Sequence, residues 1–279
     1  MKIWEAIIYG IFGGAAELLP ISFAGHSVVL REIFNLSSLT QGGGYYVRAA
    51  IALGVMAAML LSFSAETISF GRELLLTTGL RHRRRGERTN PVLRRSIFLG
   101  VFALVPMLCS LFFTAAAERI TRLLIVALLF ALNGLLIFLC CRRRVGKKNE
   151  KTVLLSDTLL IGFARMLSVF PGLSSVGSSM AVARARGLSQ RYARRLTSLL
   201  SRCYEAAAFL FYLIRAFCFG SFTVGILLPM LLAMLFSGVA GYFAIQYFRY
   251  LLNRDKLQVF SYYCWDAAVI TLILSLINS

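Results

Sequence analysis

Two ionisable side chains, Glu17 and His26, lie inside one long apolar stretch rather than in a loop. Burying such groups is costly, so an ionisable residue at membrane depth is a functional candidate by default. Between them runs Pro20-Ile-Ser-Phe-Ala-Gly25, and a second apolar stretch carries Pro171-Gly-Leu-Ser-Ser-Val-Gly177. Ser22, Ser174, Ser175, Ser178 and Ser179 supply hydroxyls, while Gly25, Gly172 and Gly177 let a ligand approach the backbone closely. Such a set suits a phosphate held by hydroxyls and helix N-termini. A plainer reading stands beside it. Small residues pack transmembrane helices, and Glu17 with His26 can form a satisfied pair at a helix end.

The elements that position these residues are apolar helices. Six stretches have about the 20 residues that a bilayer crossing needs: Tyr45–Phe63, Ser96–Thr114, Leu123–Cys141, Leu196–Phe217, Val224–Phe248 and Val259–Ile277. Trp4–Ile33 and Thr158–Ala183 differ, because proline, glycine and serine interrupt them. Broken backbone at membrane depth is tolerated where protein buries it or where it lines a cavity, so both read as re-entrant helical hairpins. The order, hairpin then three spans, occurs in 1–141 and again in 157–279, with a linker at 142–156. Three crossings are odd, so the second half is expected upside down. The fold class expected is an all-α polytopic membrane protein, one transmembrane domain over 1–279 built as an inverted repeat. Inverted repeats with broken helices place a substrate site near the midplane.

Composition agrees. Of 279 residues, 58% are hydrophobic and 15% charged, with 30 Lys and Arg against 12 Asp and Glu. That excludes intrinsic disorder and argues against a nucleic-acid partner, since the apolar runs are too long for a small soluble core. The cations cluster: eight between Phe63 and Ser96 (with the run Arg81-His-Arg-Arg-Arg85), six between Cys141 and Ser156, five in Arg184–Arg195 and three in Arg249–Lys256. The connections Asn35–Gly44, Ala115–Arg122 and Cys218–Thr223 hold two. By the positive-inside rule the basic loops are cytoplasmic and both termini lie outside. The six cysteines show no metal-ligand spacing and read as small buried hydrophobes.

Glu17-Leu-Leu-Pro-Ile-Ser-Phe-Ala-Gly-His26 resembles the first signature of the undecaprenyl-diphosphate phosphatase (bacitracin-resistance) family, a Glu-x-x-x-Glu followed by Leu-Pro-Val/Ile-Ser-Ser-Thr-Gly-His. Phe170-Pro-Gly-Leu-Ser-Ser-Val-Gly-Ser-Ser179 resembles its second, Pro-Gly-x-Ser-Arg-Ser-Gly-x-Thr, and Gly187–Leu200 matches the segment that follows. The resemblance covers essentially the whole chain and implies the same inverted topology. It also implies a bacterial plasma membrane, Mg²⁺ or Ca²⁺ with Glu17 as a ligand, and a polyprenyl (undecaprenyl) phosphate or diphosphate as partner alongside membrane lipids. A second copy of the chain, as a homodimer, is a further partner considered.

The departures fall on the chemistry. Gly13 stands at the first glutamate, Phe23 at the serine regarded as nucleophile and Ser175 at the arginine that would clamp the diphosphate. A Glu and a Gln of the next span are Arg48 and Ala52. Phosphoryl transfer rests on positioning and charge neutralisation, and serine cannot mimic the guanidinium fork. One expectation is therefore a phosphatase of cell-wall lipid-carrier recycling, with Ser22 or Ser174 as substitute nucleophile, His26 as base and Glu17 orienting it. Phosphate and lipid would then be held by Gly25, Gly172, Ser175, Gly177, Ser178 and a cation from Arg48, Arg165 or Arg202. The other expectation is an inactive relative that binds or translocates polyprenyl phosphate.

Overall fold

The computed structural model describes residues 1–80, 82, 91–143 and 146–277. Its chain order is α1 (Ile3–Leu18), α2 (Phe23–Phe34), α3 (Gly44–Ser62), α4 (Ser64–Thr77), α5 (Pro91–Ala117), α6 (Leu123–Arg142), α7 (Leu155–Met166), α8 (Ser175–Ala185), α9 (Gln190–Phe219), α10 (Leu227–Asn253) and α11 (Val259–Ile277). No strand occurs among the described residues. The chain is an all-α, multi-pass membrane protein: α3, α5, α6, α10 with the turn before it, and α11 are long and apolar enough to cross a bilayer. The expected sixth span lies within α9, whose 30 residues suffice for a crossing but carry Arg202, Glu205 and Arg215. Those charges are accommodated because α9 packs against α3, α5 and α8 rather than standing alone.

Both interrupted stretches are pairs of short helices. Pro20 lacks an N–H and its ring opposes a helical turn, so α1 stops at Leu18 and Ser22 starts α2 by accepting from Gly25 N at 3.2 Å. In the second stretch Ser174 starts α8 in the same way, accepting from Gly177 N at 3.1 Å. Gly172 adopts φ +119°, which a side chain disfavours, and a Cβ there would lie 2.6 Å from Leu129 of α6. Pairings repeat with the halves exchanged. α1 lies on α10 as α7 lies on α5, α3 meets α10 as α9 meets α5, and α3 with α9 and α6 with α11 meet across the middle.

The loop expected between the first two spans contains α4, a helix the apolar pattern had not marked. Of the run Arg81–Arg85, only His82 is among the described residues, and Arg144 is outside them as well. Other cations of the basic clusters are paired: Arg184 with Asp255 at 3.0 Å, Arg195 with Glu150 at 3.3 Å and Arg186 with Asp157 at 2.6 Å. The cysteines are free among the described residues, and Cys218 is exposed rather than buried.

Candidate functional site

The two breaks cross at the centre of the protein and hold each other. Ser22 Oγ accepts from Gly172 N of the opposite break at 3.0 Å, while Ser174 Oγ donates to Leu19 O of the first at 3.2 Å. Gly25 lies against Gly172, since a Cβ on it would come within 2.8 Å of Gly172 N. Asn133 of α6 bridges both, its Nδ2 donating to Pro20 O at 3.1 Å and its Oδ1 accepting from Ser174 N at 3.0 Å. Backbone groups freed by the breaks thus find partners inside the protein.

The hydroxyls of Ser22 and Ser174 are therefore helix caps and cross-links. Ser178 and Ser179 are also tied locally, Ser178 Oγ donating to Ser174 O at 2.7 Å. Gly177 sits under the Ser174 cap. Ser175 is different, because it faces a cleft beside the crossing.

The expected relay from Glu17 through His26 to a serine is not assembled. His26 Nδ1 sits 2.6 Å from Ser22 O, which makes Nδ1–H the donor. In the neutral ring Nε2 then accepts the Tyr263 hydroxyl proton at 2.7 Å. The ring stacks on Tyr263 at 5.7 Å and meets the edge of Phe130 at 5.0 Å. His26 thus fastens α2 to α6 and α11, away from the cleft.

Glu17 instead pairs with Arg48 of α3, Oε1 accepting from Nη2 at 2.9 Å. The Arg48 guanidinium lies 4.3 Å from the Phe23 ring centre and 5.1 Å from that of Tyr212. Glu17, Phe23, Arg48 and Tyr212 all line the cleft, with Ser22, Ser175 and Pro171 at the crossing beside them. Guanidinium groups favour aromatic faces, so the arrangement holds one cation and one carboxylate in fixed places at the meeting of two helix N-termini. The cleft opens near the cation-poor connections, its rim including Thr40 and Glu118. Glu118 is held there by Arg215 at 2.9 Å, and Arg215 also donates to the Tyr45 hydroxyl at 2.9 Å.

Arg165 and Arg202 do not join Arg48 in the cleft. Arg202 lies ten residues before Tyr212 on α9, bonded to Phe63 O and the Thr67 hydroxyl. Arg165 is 2% exposed, packs 5.3 Å from the Tyr204 ring, and finds its largest counter-charge in Glu205. Among the described residues, none of its guanidinium nitrogens has a hydrogen-bond partner, and neither does Glu205 Oε1. Asn133 and Tyr263 were missed as site-forming residues. Asn133 had a signal, being the sole polar side chain in Leu123–Cys141. Tyr263 had one as well, standing in Phe260-Ser-Tyr-Tyr263, a segment in register with the resemblance described above.

The cleft would make Mg²⁺ or Ca²⁺ compete with arginines for carboxylate oxygens. Both of its carboxylates, Glu17 and Glu118, are bound by arginines. Among the described residues no three His, Cys, Asp or Glu side chains cluster as a metal site.

Residues 6–270 match the family model described as bacitracin resistance protein BacA. The chain is 26% identical to an undecaprenyl-diphosphatase of Methanobrevibacter smithii, over 97% of this chain and 96% of the relative. It is 27% identical to one of Carboxydothermus hydrogenoformans, over 98% of each, and 26% identical to one of Halothermothrix orenii, over 99% of each.

Proposed function

The chain belongs to the bacitracin resistance protein BacA family, and from this premise we propose that its cleft takes the phosphate end of a polyprenyl diphosphate or phosphate. The setting is lipid-carrier recycling in a bacterial plasma membrane. The observation that carries the reading is Arg48, a cation fixed in the cleft where both interrupted motifs meet. The isoprenoid tail stays among the apolar helices, and the charged end reaches Arg48 and the Ser175 hydroxyl.

The reaction named for the relatives is hydrolysis of the diphosphate. Water attacks the terminal phosphorus, the P–O anhydride bond breaks, and polyprenyl phosphate and inorganic phosphate leave. In this cleft Arg48 neutralises the phosphoryl oxygens, and Glu17, released from Arg48 by the arriving anion, takes the proton from water. Ser22, Ser174, His26, Gly25 and Gly172 hold the frame, so they act as positioning residues. No step is routed through a metal.

A second reading has its own observation. Phe23 cannot attack phosphorus, and Glu17 is already neutralised, which favours a chain that binds or translocates polyprenyl phosphate without cleaving it. Both readings take the basic loops as cytoplasmic and the cleft as opening outward, with the two halves inverted. The repeated pairing of α1 with α10 and α7 with α5 supports that arrangement.

One assay separates them. Purified protein is given farnesyl diphosphate, with and without divalent cation, and phosphate release is followed. Hydrolysis that falls about 10²–10³-fold in Glu17→Gln supports the phosphatase. Saturable binding with no release overturns it and leaves the carrier reading.

A further inference from the structure

Three departures around Glu17 form one packed unit. Gly13 stands one helical turn before Glu17 on α1. A Cβ at that position would lie 2.6 Å from Ile51 Cγ2 and 3.4 Å from the Phe23 ring. A long side chain at 13 and the ring of Phe23 therefore compete for the same space. The buried Phe23 ring in turn carries the Arg48 guanidinium, Tyr212 supplies a second ring, and Arg48 closes on Glu17. Glycine at 13 admits phenylalanine at 23, phenylalanine positions arginine at 48, and arginine neutralises the remaining carboxylate.

We propose that the Gly13–Phe23–Arg48 unit puts a fixed organic cation where a divalent ion would otherwise be needed, so that the cleft binds a lipid phosphate without metal. This rests on the lipid-phosphate reading of the cleft. A guanidinium is weakly hydrated and offers a planar fork to phosphate oxygens. Held against two rings, it loses little freedom on binding. Glu17 is its resting counter-ion, and a phosphate with more charge than a single carboxylate displaces it. The same ion pair repels a metal, because Arg48 occupies the Glu17 oxygen that the metal would ligate. Phe23 acts through Arg48 and is a positioning residue.

The test is binding of farnesyl phosphate and farnesyl diphosphate to the full chain in detergent, measured by calorimetry in EDTA and again in Mg²⁺. The wild type binds equally in both. Arg48→Gln weakens binding about 10–100-fold. Phe23→Leu, which keeps an apolar side chain but loses the ring, weakens it about threefold to tenfold, Phe23→Tyr restores it, and Phe23→Leu adds nothing in the Arg48→Gln background. Melting curves identify the folded variants. Should Arg48→Gln not fold, Arg48→Lys is read instead, and it binds at an intermediate level. Wild-type binding that requires Mg²⁺, or full binding by a folded Arg48 variant, overturns the proposal while leaving the lipid-phosphate reading in place. No saturable wild-type binding in either buffer overturns that reading itself.

Discussion

At the scale of the residue, the crossing depends on Asn133 more than on either serine. A serine cap serves its own helix first, and water or a neighbouring carbonyl can replace a single lost bond. Asn133 reaches Pro20 O, Ser174 N and, at 3.2 Å, Cys264 Sγ, while 0% exposed. Asn133→Leu fills the same volume but leaves the Ser174 N–H with no partner in an apolar interior and strips Pro20 O of its amide donor. An orphaned buried group of this kind costs about 1–3 kcal/mol. The variant should melt several degrees below the wild type in detergent and should also lose lipid-phosphate affinity, because both helix N-termini at the cleft shift. Unchanged melting would mean the two breaks are held together by the serines alone.

At the scale of the element, the linker before α7 is tied to the end of α8. Lys148 N donates to Gly187 O at 3.0 Å and Ser189 N donates to Lys148 O at 2.8 Å. The knot is Asp157, 0% exposed in the first turn of α7, outside the spanning helices. Burial alone would raise its carboxyl, but the Lys148 ammonium at 2.8 Å, the Leu154 N–H at 3.0 Å and the Arg186 guanidinium outweigh it and hold the carboxyl below the usual range. A carboxyl lowered by folding stabilises fully above its unfolded value, about 3.9, and that stability drains as pH falls through the lower folded value. Melting of the wild type should therefore fall faster than that of Asp157→Asn as pH drops below about 4, and the gap between them should close. Parallel curves would remove Asp157 from the knot. The helices themselves were legible because apolar runs and their prolines are local signals. The breaks followed from Pro20 and Pro171 for the same reason. The pairing of Glu17 with Arg48, and of His26 with Tyr263, was not legible, since each joins positions far apart in the chain and no local pattern encodes which face of a helix meets which. The α4 helix escaped notice because Glu66, Arg72 and Glu73 interrupt its apolar residues, of which Ile68 and Leu75 are exposed.

At the scale of the whole molecule, sidedness decides whether the cleft can receive a lipid phosphate from the outer leaflet. Sidedness follows from the parity of the crossings. Gln41 follows the first pair of short helices and Lys147 precedes the second, and both are exposed. If the halves are inverted, Gln41 lies outside and Lys147 inside. With α7 and α8 re-entrant, Cys218, exposed near the end of α9, is expected outside again, because α9 alone would cross. A membrane-impermeant maleimide should label Cys218 in intact cells. In a Cys218→Ser background, Gln41→Cys should label in intact cells, and Lys147→Cys only after the membrane is opened. Labelling of Gln41→Cys and Lys147→Cys from one side would make the halves parallel. Labelling of Lys147→Cys and Cys218 from one side would make α7 and α8 a true crossing, and the broken segment could not then return to meet the first across Ser22 and Gly172 from the opposite face. Inversion would bring the two helix N-termini to one cleft from opposite sides of the bilayer, with the Arg48 cation where they meet.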